Sequence, residues 1–217
     1  GGGGGGGNYD DDEPEFVGST DDAGILAVFD AKGLSHMNCL CELLANGIDS
    51  SVDSSNFEFI VKGKDIFMSD DGCGMNRNDI RNMFDLHRSN HSSHCSMGRS
   101  GIGGKVAGAL LSEKGSVVIF THKHGQPYFS VEVPWWQIYK TSTLKLIKIT
   151  KMDDEEINLY FGKSRKSGTT YKFKHSNLLE DTIRTAFNPH EHVQDMSDMP
   201  CIVFGKSPVN ITFKYES

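Results

Sequence analysis

DDGCGMNRNDIRNMFDLHRSNHSSHCSMGRSGIGGK, residues 70–105, sets two glycine clusters on either side of a polar segment. The stretch before it, FEFIVKGKDIFMS (residues 57–69), is rich in Phe, Ile and Val and is interrupted at Gly63, a pattern that predicts two paired strands joined by a tight turn. Asp70 therefore falls where a strand runs out into a loop. Gly72 and Gly74 let the chain bend there and let a flat ligand come close to the backbone, which a Cβ would obstruct. The second cluster, Gly98, Gly101, Gly103 and Gly104, leads into KVAGALL (residues 105–111), whose composition suits a helix. Free N–H groups and the positive end of a helix dipole at such a start favour an anion such as phosphate. Taken singly, each cluster is weak, since DxGxG is an ordinary turn after many strands and GxxGxG alone decides nothing. Their order and separation carry the meaning.

Composition narrows the classes. A chain of 217 residues is long enough to bury a substantial core. With 37% hydrophobic residues and no apolar run of spanning length, no membrane segment is expected. The start, Gly1 to Gly7 and then NYDDDEPE, has neither the basic nor the apolar part of a signal peptide, so an intracellular location is expected. Five cysteines (Cys39, Cys41, Cys73, Cys95, Cys201) without CxxC spacing argue against a disulfide framework and a zinc knuckle. A net charge of −7 gives no general pull toward nucleic acid. The basic residues between Lys140 and Lys174 (Lys140, Lys145, Lys148, Lys151, Lys163, Arg165, Lys166, Lys172, Lys174) form either a solvated face or a local nucleic-acid patch.

Residues 1–22, glycine-rich and then acidic, are expected to be a disordered tail, and residues 23–217 one domain. ILAVFD (residues 25–30) is a short apolar run, and the first clear helix is expected from Leu34 to about Ile48. On a wheel of about 100° per residue, Met37, Leu40, Leu44 and Ile48 share an arc of about 80°, which predicts the core-facing side. Glu42, Asn46 and Asp49 share an arc of about 60° opposite. That polar stripe is either the solvent face of an amphipathic helix or, as an amide between two acids, a set of oxygen ligands for Mg²⁺.

Further along, NDIRNMFDL (residues 78–86) predicts a short helix with Ile80, Met83 and Phe84 inward. HRSNHSSHCSM (residues 87–97) predicts a polar loop, read as a lid because it joins the two glycine clusters, while His87, His91, His94 and Cys95 match no zinc spacing. Strands are expected at VVIFTH, YFSVEV, LKLIKI, INLYF and TTYKFKH, followed by a helix capped by Ser176 or Asn177 and ending near Phe187. CIVF and VNITFKY close the chain as apolar runs. This order predicts an α/β (α+β) two-layer sandwich, a mixed sheet with helices largely on one face.

In chain order the pieces are ExxxNxxD (ELLANGID, Glu42 to Asp49), DxGxG (Asp70 to Gly74), GxxGxG (GRSGIG, Gly98 to Gly103) and a late Gly-Thr entering a strand (Gly168, Thr169). This resembles the GHKL ATPases, the superfamily of gyrase, Hsp-type chaperones, histidine kinases and MutL, over about residues 34–173. The stretches FMSDDGCGMNRNDIRNMF, GRSGIGGKVAGALL and IRTAFNPH look most like the topoisomerase VI B subunit, with MutL and microrchidia-type ATPases sharing the same signature.

The resemblance implies the Bergerat ATP-binding fold and a set of roles. Glu42 would be the base that activates water, and Asn46 would hold Mg²⁺. Asp70 would take the adenine amino group, with Gly72, Gly74 and Met75 lining the base pocket and Thr169 supporting Asp70. Asp49 would help at the ribose or base side. Gly98, Arg99, Ser100, Gly101, Ile102, Gly103 and Gly104 would wrap the phosphates. Lys105 is either a phosphate contact or a surface lysine at the helix start. ATP and Mg²⁺ are the implied cofactors, with a homodimer formed on nucleotide binding and DNA, or a DNA-acting subunit, as partner through other domains. A chaperone-like ATPase acting on protein clients is the alternative. Because such relatives bring a γ-phosphate lysine from a following transducer domain, hydrolysis by this domain alone is expected to be slow.

Overall fold

Alternation along the strands decides which side of the sheet is covered. The computed structural model describes residues 14–17, 35–51, 55–84, 103–113, 115–162, 165–174, 176–186 and 209–216. In β2 (Ser55–Lys62) and β3 (Asp65–Asp70), Phe57, Phe59, Ile66 and Met68 are all buried at every second position. The two form the expected antiparallel hairpin, with Phe57 opposite Asp70 and Lys62 opposite Asp65.

The same alternation continues through β4 (Ser116–His122), β5 (Tyr128–Pro134), β6 (Ile147–Lys151) and β7 (Gly168–Lys174). With β1 (Glu15–Val17) and β8 (Val209–Glu216) at the edges, the order is β1-β6-β5-β4-β7-β3-β2-β8. The β2–β8 pair is parallel and the other pairs are antiparallel, so the sheet is mixed.

Among the described residues, five helices cover one face. They are α1 (His36–Asp49), α2 (Arg77–Phe84), α3 (Gly103–Leu111), α4 (Trp135–Thr141) and α6 (Asn177–Ala186). Their buried residues, among them Leu40, Leu44, Ile80, Phe84, Ala107, Trp135 and Leu179, join Phe57, Met68, Ile119, Val131 and Phe173 in one core. The short α5 (Asp154–Tyr160) lies on the opposite, more open face, where Phe120, Met152 and Phe161 form a small second core with Ile157 and Tyr160 packed against it. The layered α/β architecture with a mixed sheet is therefore the one expected.

Three local expectations change, and one unassigned stretch proves helical. INLYF is helical in α5 apart from its last residue, because Asp153 and Glu156 form a reciprocal capping box that starts a helix upstream of the apolar residues. LKLIKI divides into a 3-10 turn at Leu144–Leu146 and the strand β6. Residues 135–141, which periodicity alone does not assign, form α4. Glu15–Val17 lie within the stretch expected to be a disordered tail, yet they pair with β6, and Glu15 is held by Arg81 at 2.6 and 2.7 Å and by Arg77 at 3.4 Å. Ser176 caps α6 by accepting from the Leu179 N–H at 3.0 Å, and its hydroxyl also donates to the Leu111 carbonyl, tying α6 to the end of α3. The runs ILAVFD and CIVF, the lid segment and the end of the last helix at Phe187 lie outside the described residues.

Candidate functional site

Strand register brings three polar side chains into one row. Asp70 ends β3, Thr169 lies opposite it on β7, and Thr121 lies opposite Thr169 on β4. Directly opposed residues share a face, and Phe57 and Phe129, which flank the row, belong to the core beneath the helices. Asp70, Thr169 and Thr121 thus face the helical layer. The Thr121 hydroxyl lies 3.2 Å from that of Thr169 and 3.3 Å from the Gly168 carbonyl, and it accepts from the Met75 N–H at 2.9 Å. Met75, expected at the site, is buried and pinned there. Thr121 escapes sequence reasoning because its only signal is the two-residue phase it shares with Val117 and Ile119.

Two glycines fix how closely the loop and α1 approach the sheet. Gly74 adopts φ +65°, and a Cβ on it would lie 1.9 Å from the His122 carbonyl oxygen, so only glycine passes between β4 and the loop. Gly47, which was not singled out in the sequence, is buried in α1, where a Cβ would lie 2.4 Å from the Phe57 ring and 3.3 Å from Asp70 Cβ. Its bare backbone lets α1 lie over Asp70. The end of α1 also holds the loop directly, since the Ser50 carbonyl accepts from the Cys73 N–H at 3.0 Å, and Ser50 Oγ occupies the space a side chain at Gly72 would need.

The buried side of α1 is Cys39, Leu40, Leu43, Leu44 and Gly47, whereas Met37 and Ile48 are half-buried at its border. Relative to the expected stripe, this face is turned by about 70° on an ideal helix, toward Asn46. Asn46 is half-buried at the border of the face that covers Asp70, whereas Glu42 and Asp49 are exposed, about 130° and about 150° from the centre of that face on an ideal helix. An amide oxygen between two carboxylates is a donor set that suits a hard cation. No group of three or more His, Cys, Asp or Glu residues that could hold a metal occurs among the described residues.

Electrostatics single out Asp70. Burial pushes its carboxyl up to about 6, against the opposing pull of the Arg165 guanidinium and of the Gly72 and Thr169 N–H groups, the Gly72 bond being 2.9 Å long. The folded chain then keeps a proton that the unfolded chain has released between pH 3.8 and about 6. This group's contribution to stability is complete below that window and is lost as pH rises through it. A carboxyl-carbon NMR titration is expected to give Asp70 a midpoint near 6, and Arg165→Met to move the midpoint upward, since it removes the main charge favouring the anion. A midpoint near 4 would mean that the carboxylate is solvated.

Burial, with Asp70 adding to it, also raises the Tyr171 phenol, which stays neutral on the same face as Thr169. Burial likewise pushes the Cys39 thiol up to about 11, which leaves it a packing residue. Among the basic residues from Lys140 to Lys174, Arg165 turns inward to main-chain carbonyls and Lys172 pairs with Asp65 at 3.2 Å. Neither is available to a nucleic-acid patch as a free cation.

Gly98, Arg99, Ser100, Gly101 and Ile102 lie outside the described residues. Gly103, Gly104 and Lys105 form the first turn of α3, so a helix does begin where the second glycine cluster ends. That helix packs against α1, which brings the two motif-bearing helices together.

No curated protein matches the chain in sequence. Residues 34–169, more than half of the chain and the span from α1 to Thr169, match the family described as histidine kinase-, DNA gyrase B-, and HSP90-like ATPase. The match ends on the residue that faces Asp70 across the β3–β7 seam. An acid, a pair of threonines and a tight glycine loop beneath a helix carrying ExxxNxxD are thus features of a matched domain, and the chain belongs to the GHKL superfamily of ATPases.

Proposed function

We propose that the row Asp70–Thr169–Thr121, closed by Gly74 and Met75, is the adenine pocket of a Mg²⁺-dependent ATPase module. The single observation that carries this is a half-buried carboxylate at the end of β3, in register with Thr169 on the face toward the helices, with a glycine-lined loop folded beside it. A carboxylate accepts hydrogen bonds and cannot donate one, so it suits the amino group of adenine and opposes the carbonyl of guanine. Gly98 to Ile102, in sequence before α3, together with Gly103 and Gly104 in its first turn, would take the phosphates through backbone N–H groups, with Lys105 beside them. Asn46 would hold Mg²⁺, an ion that bridges phosphates and neutralises the charge developing on them. Glu42 would orient the attacking water and accept its proton, and Asp49 would serve the ribose side.

The sequence of both glycine clusters supports the topoisomerase VI B, MutL and microrchidia branch. We therefore take residues 23–217 together with β1 as an ATP-gated module that dimerises on nucleotide binding and works for a machine acting on DNA or chromatin. Calorimetry with ATP and Mg²⁺ tests the pocket. Asp70→Asn, which presents an amide donor to the adenine amino group, is expected to weaken binding by about 100-fold or more. Unchanged affinity would place the base elsewhere.

A further inference from the structure

Arg165 lies on the opposite side of the sheet from the helices and is not part of any motif discussed above. It precedes β7, and its guanidinium donates to the Asp70 carbonyl, to the Thr169 carbonyl at 2.9 Å and to the Thr170 hydroxyl at 2.9 Å. The cation lies over the Phe161 ring, 5.0 Å from its centroid, which fixes the plane of the fork. Two residues on, the Ser167 hydroxyl donates to the Gly72 carbonyl at 2.8 Å. The segment 165–167 therefore grips the main chain at both ends of Asp70–Gly72, whose side-chain face is the candidate adenine pocket. Gly168 makes the grip close: at φ +134° a Cβ would lie 2.2 Å from the Asp70 carbonyl oxygen and 2.6 Å from the guanidinium.

We infer that Arg165 is a positioning residue for nucleobase recognition, holding the Asp70 main chain from behind so that the carboxylate meets the base at a fixed place and angle. The inference rests on Asp70 being the adenine acceptor. Its physical basis is that Asp70 is the last residue of β3, where the main-chain ladder to β2 and β7 ends. The next residue is held through its side chain, the Asp71 carboxylate accepting from the Asn56 N–H at 3.0 Å and from the Asn56 side-chain amide, before the glycine loop begins. A terminal residue can swing unless something outside the ladder holds it. Arg165 supplies that: Nη2 donates to the Asp70 and Thr169 carbonyls while Nη1 donates to the Thr170 hydroxyl, a set of donors held in one fixed plane, which the freely rotating ammonium of a lysine does not offer. Base selectivity depends on placement to a fraction of an ångström, so loosening this hold should cost selectivity more than it costs turnover.

The test uses the full chain with Arg165→Met and Arg165→Lys, measuring melting temperature, ATP and GTP affinity, and the split between KM and kcat. Arg165→Met is expected to weaken ATP by about tenfold and to narrow the preference for ATP over GTP by a similar factor, with kcat at saturating ATP within about twofold of the parent. Arg165→Lys, which keeps the charge and loses the fork, is expected to fall between the two and serves as the readout if the methionine variant does not fold. Ratios unchanged in both variants would overturn the inference, as would equal losses for ATP and GTP that simply track a lowered melting temperature. If the parent chain binds neither nucleotide, the assignment of Asp70 itself fails. Tight, selective binding by the parent with unaltered variants removes only the role of Arg165.

Discussion

Glu42→Gln is expected to lower the rate of ATP hydrolysis by about 10² to 10⁴ while leaving ATP affinity within about threefold. The asymmetry follows from what the substitution changes. Glutamine keeps the length of the side chain and one carbonyl acceptor and loses the ability to take a proton from water, a property needed only on the way to the transition state. Glu42 is exposed on α1, away from the Asp70–Thr169–Thr121 row, so nothing in the row depends on its charge. Of its stripe, only Asn46 is half-buried at the border of the face that covers Asp70, and Glu42 lies one turn before it on the exposed side. Single-turnover hydrolysis together with calorimetry separates the two quantities. Hydrolysis by the glutamine variant at the parental rate would remove Glu42 as the base.

Gly74→Ala is expected to destabilise the fold by about 3 kcal/mol or more and to abolish nucleotide binding with it. Two costs combine. A residue with a side chain is strained at φ +65°, and the added methyl would lie 1.9 Å from the His122 carbonyl oxygen and 3.0 Å from that of Gly168. Neither neighbour can easily yield, because both belong to the β4–β7 ladder, and the His122 ring is stacked on Tyr128 at 3.6 Å. Gly125→Ala is the control. It has a similar φ of +74° and nothing within 4 Å, so it pays only the backbone cost, about 1 kcal/mol. Thermal unfolding of the two variants should therefore differ by several degrees for a domain of this size. Equal shifts would show that the loop packs less tightly on β4 than these distances require.

The glycine-and-acid motifs proposed for nucleotide binding could be picked out in the sequence because loops and helix starts have local rules. Glycines beside an acid after an apolar strand, and glycines ahead of an Ala- and Leu-rich run, imply a turn and a helix N-terminus whatever the rest of the chain does. Strand alternation likewise located β2, β3, β4, β5 and β7 and predicted the layered α/β arrangement. What escaped was contributed by partners distant in sequence. Thr121 is one threonine among many until β7 is laid between it and Asp70, and Gly47 matters only because Phe57 stands beneath it. Arg165 read as one of a run of basic residues until its guanidinium was found against the Asp70 and Thr169 carbonyls. Helical periodicity gave a face for α1 that was off by about 70°, since hydrophobicity counts Met37 and Ile48 equally with Leu43, whereas the sheet can be approached closely only where the helix is bare. The sequence by itself thus determined the order of motifs and the class of fold, which depend on local propensity. The tertiary structure decided which side of α1 meets the sheet and which residues hold Asp70 in place, because both depend on contacts between segments up to 95 residues apart.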